Sequence, residues 1–264
     1  MNVLSIGGSD PSSGAGIQSD IKTFSKYYVY GLTAVTAITS QNTRKVTSIE
    51  PVSAKSLKAQ LDSIFSDFHV DAIKIGMVYN SQIIKVIHSK LRNIKVPIVV
   101  DPIIKSTTGT ILLKKSALND YKKMIIPLAY VITPNKYEAK ILSGISNTKK
   151  SAKKIQAMGA KCVIITGATS SNSHISDFIL EENREYVISG KKIPITNHGS
   201  GCTFSASITA MLGKGEHNIR ITAKHAKDHV YWSIKNSKKI GKGINITHKD
   251  VLNGSKELED SINY

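Results

Sequence analysis

The segment Asn197-His198-Gly199-Ser200-Gly201-Cys202-Thr203 sets two glycines and a cysteine in a tight turn ahead of the small-residue run FSASITAML. Gly199 and Gly201 let successive backbone N–H groups converge, and a helix starting there adds the positive end of its dipole. Such a nest suits an oxyanion or a phosphate, with Cys202 at its mouth. A cysteine at a helix N-terminus is expected to have a lowered pKa, which makes Cys202 a candidate proton acceptor; the competing reading is a small buried hydrophobe beside a turn. The other cysteine, Cys162, lies between a lysine and an apolar run and reads as packing.

Two further clusters carry chemistry. Gly8-Ser9-Asp10-Pro11-Ser12-Ser13-Gly14-Ala15-Gly16 joins an apolar run to an amphipathic one. It is either an ordinary turn or a loop whose N–H groups approach a polar ligand. The third cluster is acidic: Asp101 follows Ile98-Val99-Val100, while Asn135 and Glu138 follow Val131-Ile132 through Thr133-Pro134. Asn-x-x-Glu puts both side chains on one face of a first helical turn. Oxygen ligands at adjacent strand ends suit a hydrated Mg²⁺, and the same spacing also suits an N-cap with its capping box. No GxxxxGK[ST], CxxC or HExxH sequence occurs, which excludes a P-loop and argues against zinc.

These residues need a scaffold, and the hydrophobic pattern supplies one. Short apolar runs at 3–7, 32–38, 72–75, 97–100, 130–132 and 162–166 read as buried strands of a largely parallel sheet. Helix-like stretches at 14–27, 54–65, 82–92, 116–124 and 151–158 alternate with them. Residues 176–180 and 185–189 read as an edge hairpin, and helices are predicted over 203–212 and 219–235. With no internal repeat or linker, one α/β domain over residues 1–264 is expected. Trp232 reads as packing on the last long helix rather than as a base platform.

The chain has 264 residues and a formal charge of +17. Residues 1–132 carry 16 basic and 8 acidic side chains and residues 133–264 carry 20 and 11, so the surplus is even and forms no arm. Aromatics are 6%, too few for a stacking platform. Nucleic-acid binding is therefore not expected as the function. No apolar run reaches a membrane span of roughly 18 residues. Two cysteines suit a reducing cytoplasm rather than a disulfide framework.

Taken together, GGSDP, GAGIQSDIKTF, TAITSQNT, KIGM, VVDP, ITPNKYEA, NHGSGCTFSASI, Gly241-Lys242-Gly243 and His248 resemble the hydroxymethylpyrimidine/phosphomethylpyrimidine kinases of thiamine biosynthesis. That family belongs to the ribokinase-like superfamily. The resemblance implies a doubly wound, mainly parallel central sheet with helices on both faces, commonly in a cytoplasmic homodimer. It implies MgATP-dependent phosphorylation of 4-amino-5-hydroxymethyl-2-methylpyrimidine, then of its monophosphate. By the same resemblance Gln41 meets the aminopyrimidine edge, and Gly8, Ala15, Asp20 and Met77 line that substrate. Gly199, Gly201 and Cys202 form the anion hole and candidate base. Asn135, Thr166, Ser200 and Gly201 meet nucleotide phosphate, and Asp101 and Glu138 lie at the Mg²⁺.

Two departures stand out. Thr166-Gly167-Ala168-Thr169 replaces the family's usual Lys-Gly-Gly-His, removing a phosphate-facing lysine for which Lys105 is a candidate substitute. Gly76-Met77-Val78-Tyr79 replaces Gly-Met-Leu, and Tyr79 is expected to narrow the pocket. The competing expectations are a pyridoxal/pyridoxine kinase and a pyrimidine-binding regulatory protein with impaired phosphoryl transfer.

Overall fold

Successive residues of the buried strands point to opposite faces of a sheet, and the chain fills both faces with apolar side chains. The computed structural model describes residues 1–247; His248 lies outside them. The chain opens with β1 (Asn2–Ser9), α1 (Gly16–Lys26), β2 (Tyr30–Gln41) and β3 (Val46–Pro51). Then come α2 (Ala54–Asp67), β4 (Ala72–Ile75), α3 (Ser81–Leu91) and β5 (Ile98–Val100). Residues 115–128 pass through 3-10 turns, a short α segment (α4, Leu118–Asp120) and a π turn before β6 (Val131–Ile132). After α5 (Lys136–Ser143) and α6 (Thr148–Gln156) come β7 (Cys162–Ser170), β8 (His174–Glu181) and β9 (Arg184–Lys191). The described chain closes with β10 (Asn197–His198), α7 (Ser200–Gly213), α8 (Ile219–Lys235) and β11 (Asn245–Ile246).

Nine strands form one sheet in the order β3-β2-β1-β4-β5-β6-β7-β8-β9. The run from β2 to β7 is parallel, and β3, β8 and β9 pair antiparallel at the edges. Leu4, Ile73, Val100, Ile132 and Val163 pack under α2, α3, α5 and α6. Their neighbours Val3, Ala72, Val99, Val131 and Cys162 pack under α1, α7 and α8 with Phe24, Ile208 and Ala223. This two-sided burial is why the central strands read as unbroken apolar runs. The doubly wound, mainly parallel architecture is the one expected, and no described helix is long and apolar enough to cross a membrane.

Several elements differ from expectation. β3 was not predicted, because only Val46 of its residues is fully buried and its exposed edge carries no apolar pattern. The helix expected over 116–124 is mostly 3-10 and π, and the π segment gives way to a last 3-10 turn, Ile126–Leu128, at whose start Pro127 lacks a backbone donor. α5 begins with the first turn read from Asn135 and Glu138 and stops at Gly144 in the left-handed region. β8 and β9 do form the edge hairpin, and β8 also pairs along β7.

Candidate active site

The strand order reverses between β1 and β4, so their carboxyl ends open a crevice. A cavity of about 1000 Å³ occupies it. All the candidate residues line this cavity: Gly8, Ala15, Asp20, Gln41 and Met77, then Asp101, Gly199, Ser200, Gly201 and Cys202, and finally Asn135, Glu138 and Thr166. Its far end is walled by β9 and α8. Trp232 lies there, half-buried with Lys235 over its ring at 4.3 Å, and so lines the cavity rather than only packing the helix.

The two glycine-rich turns interlock at its centre. Gly199 caps α7 with φ +93°, and a Cβ there would stand 1.8 Å from the Gly14 carbonyl oxygen, so only glycine fits. The first N–H groups of α7, at Ser200, Gly201 and Cys202, have no partner within the helix, a geometry that suits an anion.

Beneath that turn lies a buried charge network. Lys74 Nζ donates to Asp20 Oδ1 at 2.8 Å and to Asp20 Oδ2 at 2.9 Å, and stands 3.9 Å from Asp101 Oδ2. Ser5 Oγ donates to Asp20 Oδ2 at 2.6 Å, and Ser205 Oγ donates to Asp101 Oδ2 at 3.0 Å. Asp20 thus lines the cavity with both oxygens already committed. Burial alone would lower Lys74, but Asp20, Cys202 and Asp101 reverse this and hold it above its ordinary value. Sequence reasoning missed Lys74, although a lysine inside Ala72-Ile73-Lys74-Ile75 signals a buried cation that needs a partner.

The expectation of a lowered Cys202 pKa is corrected. Burial pushes the thiol up to about 12; Lys74 opposes the rise, while Asp101 and Asp20 add to it. Helix-terminus potential loses to desolvation because Cys202, in the first turn of α7, is buried. Cys162 is buried packing, and desolvation raises its thiol too.

Asn135 and Glu138 form a complete capping box: the Asn135 N–H donates to Glu138 Oε2 at 2.9 Å, and the Glu138 N–H to Asn135 Oδ1 at 3.0 Å. The structural reading of this pair is therefore realised, and both side chains still line the cavity. Burial, then repulsion from Asp101, raises Glu138 to about 8. Burial likewise raises Asp101, against the attraction of Lys74. Two buried carboxyls that repel each other are short of positive charge, a donor set that fits a hydrated Mg²⁺. Among the described residues no three His, Cys, Asp or Glu side chains gather as a closed metal cage.

At the Gln41 end of the cavity, His198 Nε2 stands 2.7 Å from the Gln41 amide nitrogen and 2.9 Å from Asp10 Oδ2. Neither Asp10 nor His198 was singled out from sequence. A C-terminal strap holds this corner: β11 pairs with β10, Thr247 Oγ1 donates to the His198 carbonyl at 3.0 Å, and the Gly243 N–H donates to Thr43 Oγ1 at 2.9 Å. Gly243 is required there, because a Cβ would meet the Thr43 carbonyl oxygen at 2.0 Å.

Tyr79 does not narrow the pocket. It packs beside Met77 and Leu112 outside the cavity wall, with Lys114 over its ring at 5.1 Å. Thr166 does line the cavity, its N–H donating to the Pro134 carbonyl at 2.9 Å. The buried cation near it is Lys227 from α8, bonded at 2.8 Å to Asp177, whose other oxygen accepts the Gly167 N–H at 2.9 Å. Lys105, the expected substitute, also lines the cavity, from the loop that bridges back to Ile111.

The family model described as phosphomethylpyrimidine kinase matches residues 10–248. A hydroxymethylpyrimidine/phosphomethylpyrimidine kinase of Haemophilus influenzae is 39% identical over 252 residues, 91% of this chain and 93% of that protein. A pyridoxal kinase from Staphylococcus aureus in complex with AMP-PCP superposes with a TM-score of 0.86 at 32% identity, covering 96% of this chain and 95% of its own. A phosphomethylpyrimidine kinase from Clostridium difficile 630 does so with a TM-score of 0.77 at 36% identity, covering 89% and 99%.

Proposed function

The chain belongs to the phosphomethylpyrimidine kinase family, and on that premise we propose that it transfers a phosphoryl group from ATP to the hydroxymethyl oxygen of 4-amino-5-hydroxymethyl-2-methylpyrimidine. Its second reaction converts the monophosphate to the diphosphate, for thiamine biosynthesis. The observation that carries this reading is one continuous cavity with an amide-bearing pocket at Gln41, an anion-binding helix end at Gly199–Cys202, and the Asp101/Glu138 carboxyls beyond it.

Gln41 offers an amide donor and an acceptor to the aminopyrimidine edge, with Met77, Ala15 and Gly8 against the ring. The N–H groups of Ser200, Gly201 and Cys202 hold the charge of the transferred group, so that catalysis is largely positioning and electrostatics. Asp101 and Glu138 would hold Mg²⁺, whose charge would neutralise that of the phosphates when bound. Asn135 and Thr166 face the nucleotide phosphates. Cys202 serves as base only after its thiol loses a proton, a change that Lys74 and the N-terminus of α7 favour and that burial opposes. The reading includes a cytoplasmic homodimer, which sedimentation of the purified protein tests.

The test is an MgATP assay with the pyrimidine alcohol, its monophosphate and pyridoxal, with products resolved. Phosphorylation of both pyrimidines supports the reading. Preference for pyridoxal by about tenfold or more establishes instead the second reading, which the close superposition on a pyridoxal kinase favours. Pyrimidine binding without ADP formation establishes the regulatory alternative.

A further inference from the structure

The corner formed by Asp10, His198 and Gln41 has a hydrogen-bond logic that fixes one side-chain orientation. Asp10 Oδ1 accepts from the Ser12 N–H at 2.9 Å and the Ser12 hydroxyl at 2.7 Å, and Oδ2 accepts from the Ala15 N–H at 2.9 Å. Burial alone would raise Asp10, but its bonds to His198, Ser12 and Ala15 outweigh that and hold it below its ordinary value. Asp10 is therefore a carboxylate at neutral pH and can only accept. His198 Nε2, 2.9 Å from Asp10 Oδ2, must then carry the hydrogen. A ring nitrogen that carries a hydrogen cannot also accept from Gln41. The atom placed 2.7 Å away is the Gln41 amide nitrogen, which would set two donors face to face; the two ends of an amide are assigned by their partners, and exchanging them puts the Gln41 oxygen there.

We propose that His198, pinned by Asp10, is a positioning residue for substrate specificity: by sharing its one Nε2 hydrogen between Asp10 Oδ2 and the Gln41 side-chain oxygen it prevents the amide from flipping and commits the site to one hydrogen-bonding edge. This rests on the functional reading above. A Gln41 oxygen keeps a second lone pair, and its NH₂ group is directed away from His198. Such an amide matches a ring edge with an exocyclic amine beside an unprotonated ring nitrogen, the 4-amino edge. It opposes the 4-oxo edge, where a ring N–H faces the amide NH₂ and a carbonyl faces the amide oxygen. A freely flipping glutamine would accept either edge. The ring of His198 is itself held against Gly14, where a Cβ would lie 2.4 Å from His198 Cδ2, and its carbonyl is tied to Thr247.

The experiment measures dissociation constants of the 4-amino pyrimidine alcohol and of its 4-oxo analogue by calorimetry, for the full-length protein and for His198→Ala. His198→Phe is measured in parallel, because it fills the space without a donor should the alanine variant fail to fold; thermal melting reports folding. The full-length protein is expected to favour the amino ring by about tenfold or more, and the variants to lose most of that ratio, with the oxo analogue gaining relative to the amino one. A variant that folds, binds and keeps the full ratio overturns the inference, as does a native protein that binds both rings equally. A native protein that neither binds nor phosphorylates the aminopyrimidine refutes the functional reading, and the inference with it.

Discussion

Replacing Lys74 by methionine tests whether the buried network beneath the first turn of α7 holds the centre of the sheet together. Lys74 is 1% exposed and the Asp20 side chain 2%. The substitution removes two hydrogen bonds of 2.8 and 2.9 Å, leaves Asp20 with the Ser5 hydroxyl, and deprives Asp101 of a cation 3.9 Å away. Removing one partner of a buried pair costs about 3–5 kcal/mol, because the other charge stays desolvated. Unfolding entropy near 60 °C is about 2.1 cal/mol/K per residue, or about 0.55 kcal/mol/K for this chain, so the melting temperature should fall by about 5–9 °C. Lys74→Met with Asp20→Asn removes both charges, and this double variant should recover most of the loss. The Lys74 pKa is raised in the folded protein, so its contribution is complete below the unfolded value of about 10.4 and is lost only as pH rises through the folded value. The stability difference between native and Lys74→Met should therefore show no contribution from lysine titration between pH 6 and pH 9. Calorimetry and urea unfolding provide the measurement. A single variant within about 1 kcal/mol of the native protein, or a double variant as unstable as the single one, would refute the argument.

Three further outcomes are expected. Cys202, with a thiol near 12, should react with iodoacetamide at pH 8 far more slowly than an exposed cysteine and become reactive on unfolding, while Cys202→Ala should lower kcat more than pyrimidine affinity; alkylation at the rate of a free thiol would contradict the buried placement. Glu138 titrates near 8 when folded and near its ordinary value when unfolded, so its contribution to stability is complete at low pH and is lost as pH rises through about 8. Metal-free protein should weaken by up to about 1.4 kcal/mol per pH unit between those values, and unfolding curves of Glu138→Gln should lack that slope. Thr166→Lys should speed phosphorylation of the monophosphate more than of the alcohol, and an unchanged ratio of the two rates would make Thr166 a bystander.

What the residue pattern revealed varied with how local the physics was. The parallel strands were legible because double-sided burial forces unbroken apolar runs, as in Ile98-Val99-Val100. β3 was not, because an edge strand with one exposed face tolerates Thr47, Ser48 and Glu50. β10 and β11 have two residues each and exist only because they meet. Asn135 and Glu138 carried two readings at once, and the structure shows the capping box on residues that also face the cavity.

By itself the sequence determined the fold class, the two glycine turns and the set of side chains gathered at the strand ends, since these follow from periodicity, backbone permissiveness and strand direction. Only the tertiary structure decided what those side chains are. Whether Cys202 is thiol or thiolate depends on desolvation and on Lys74, Asp20 and Asp101, which lie 182 to 101 positions away in the chain. Which way Gln41 faces depends on His198 and Asp10, brought together from opposite ends of the chain. Charge and hydrogen-bond direction are properties of a surrounding, and the surrounding exists only once the chain has folded.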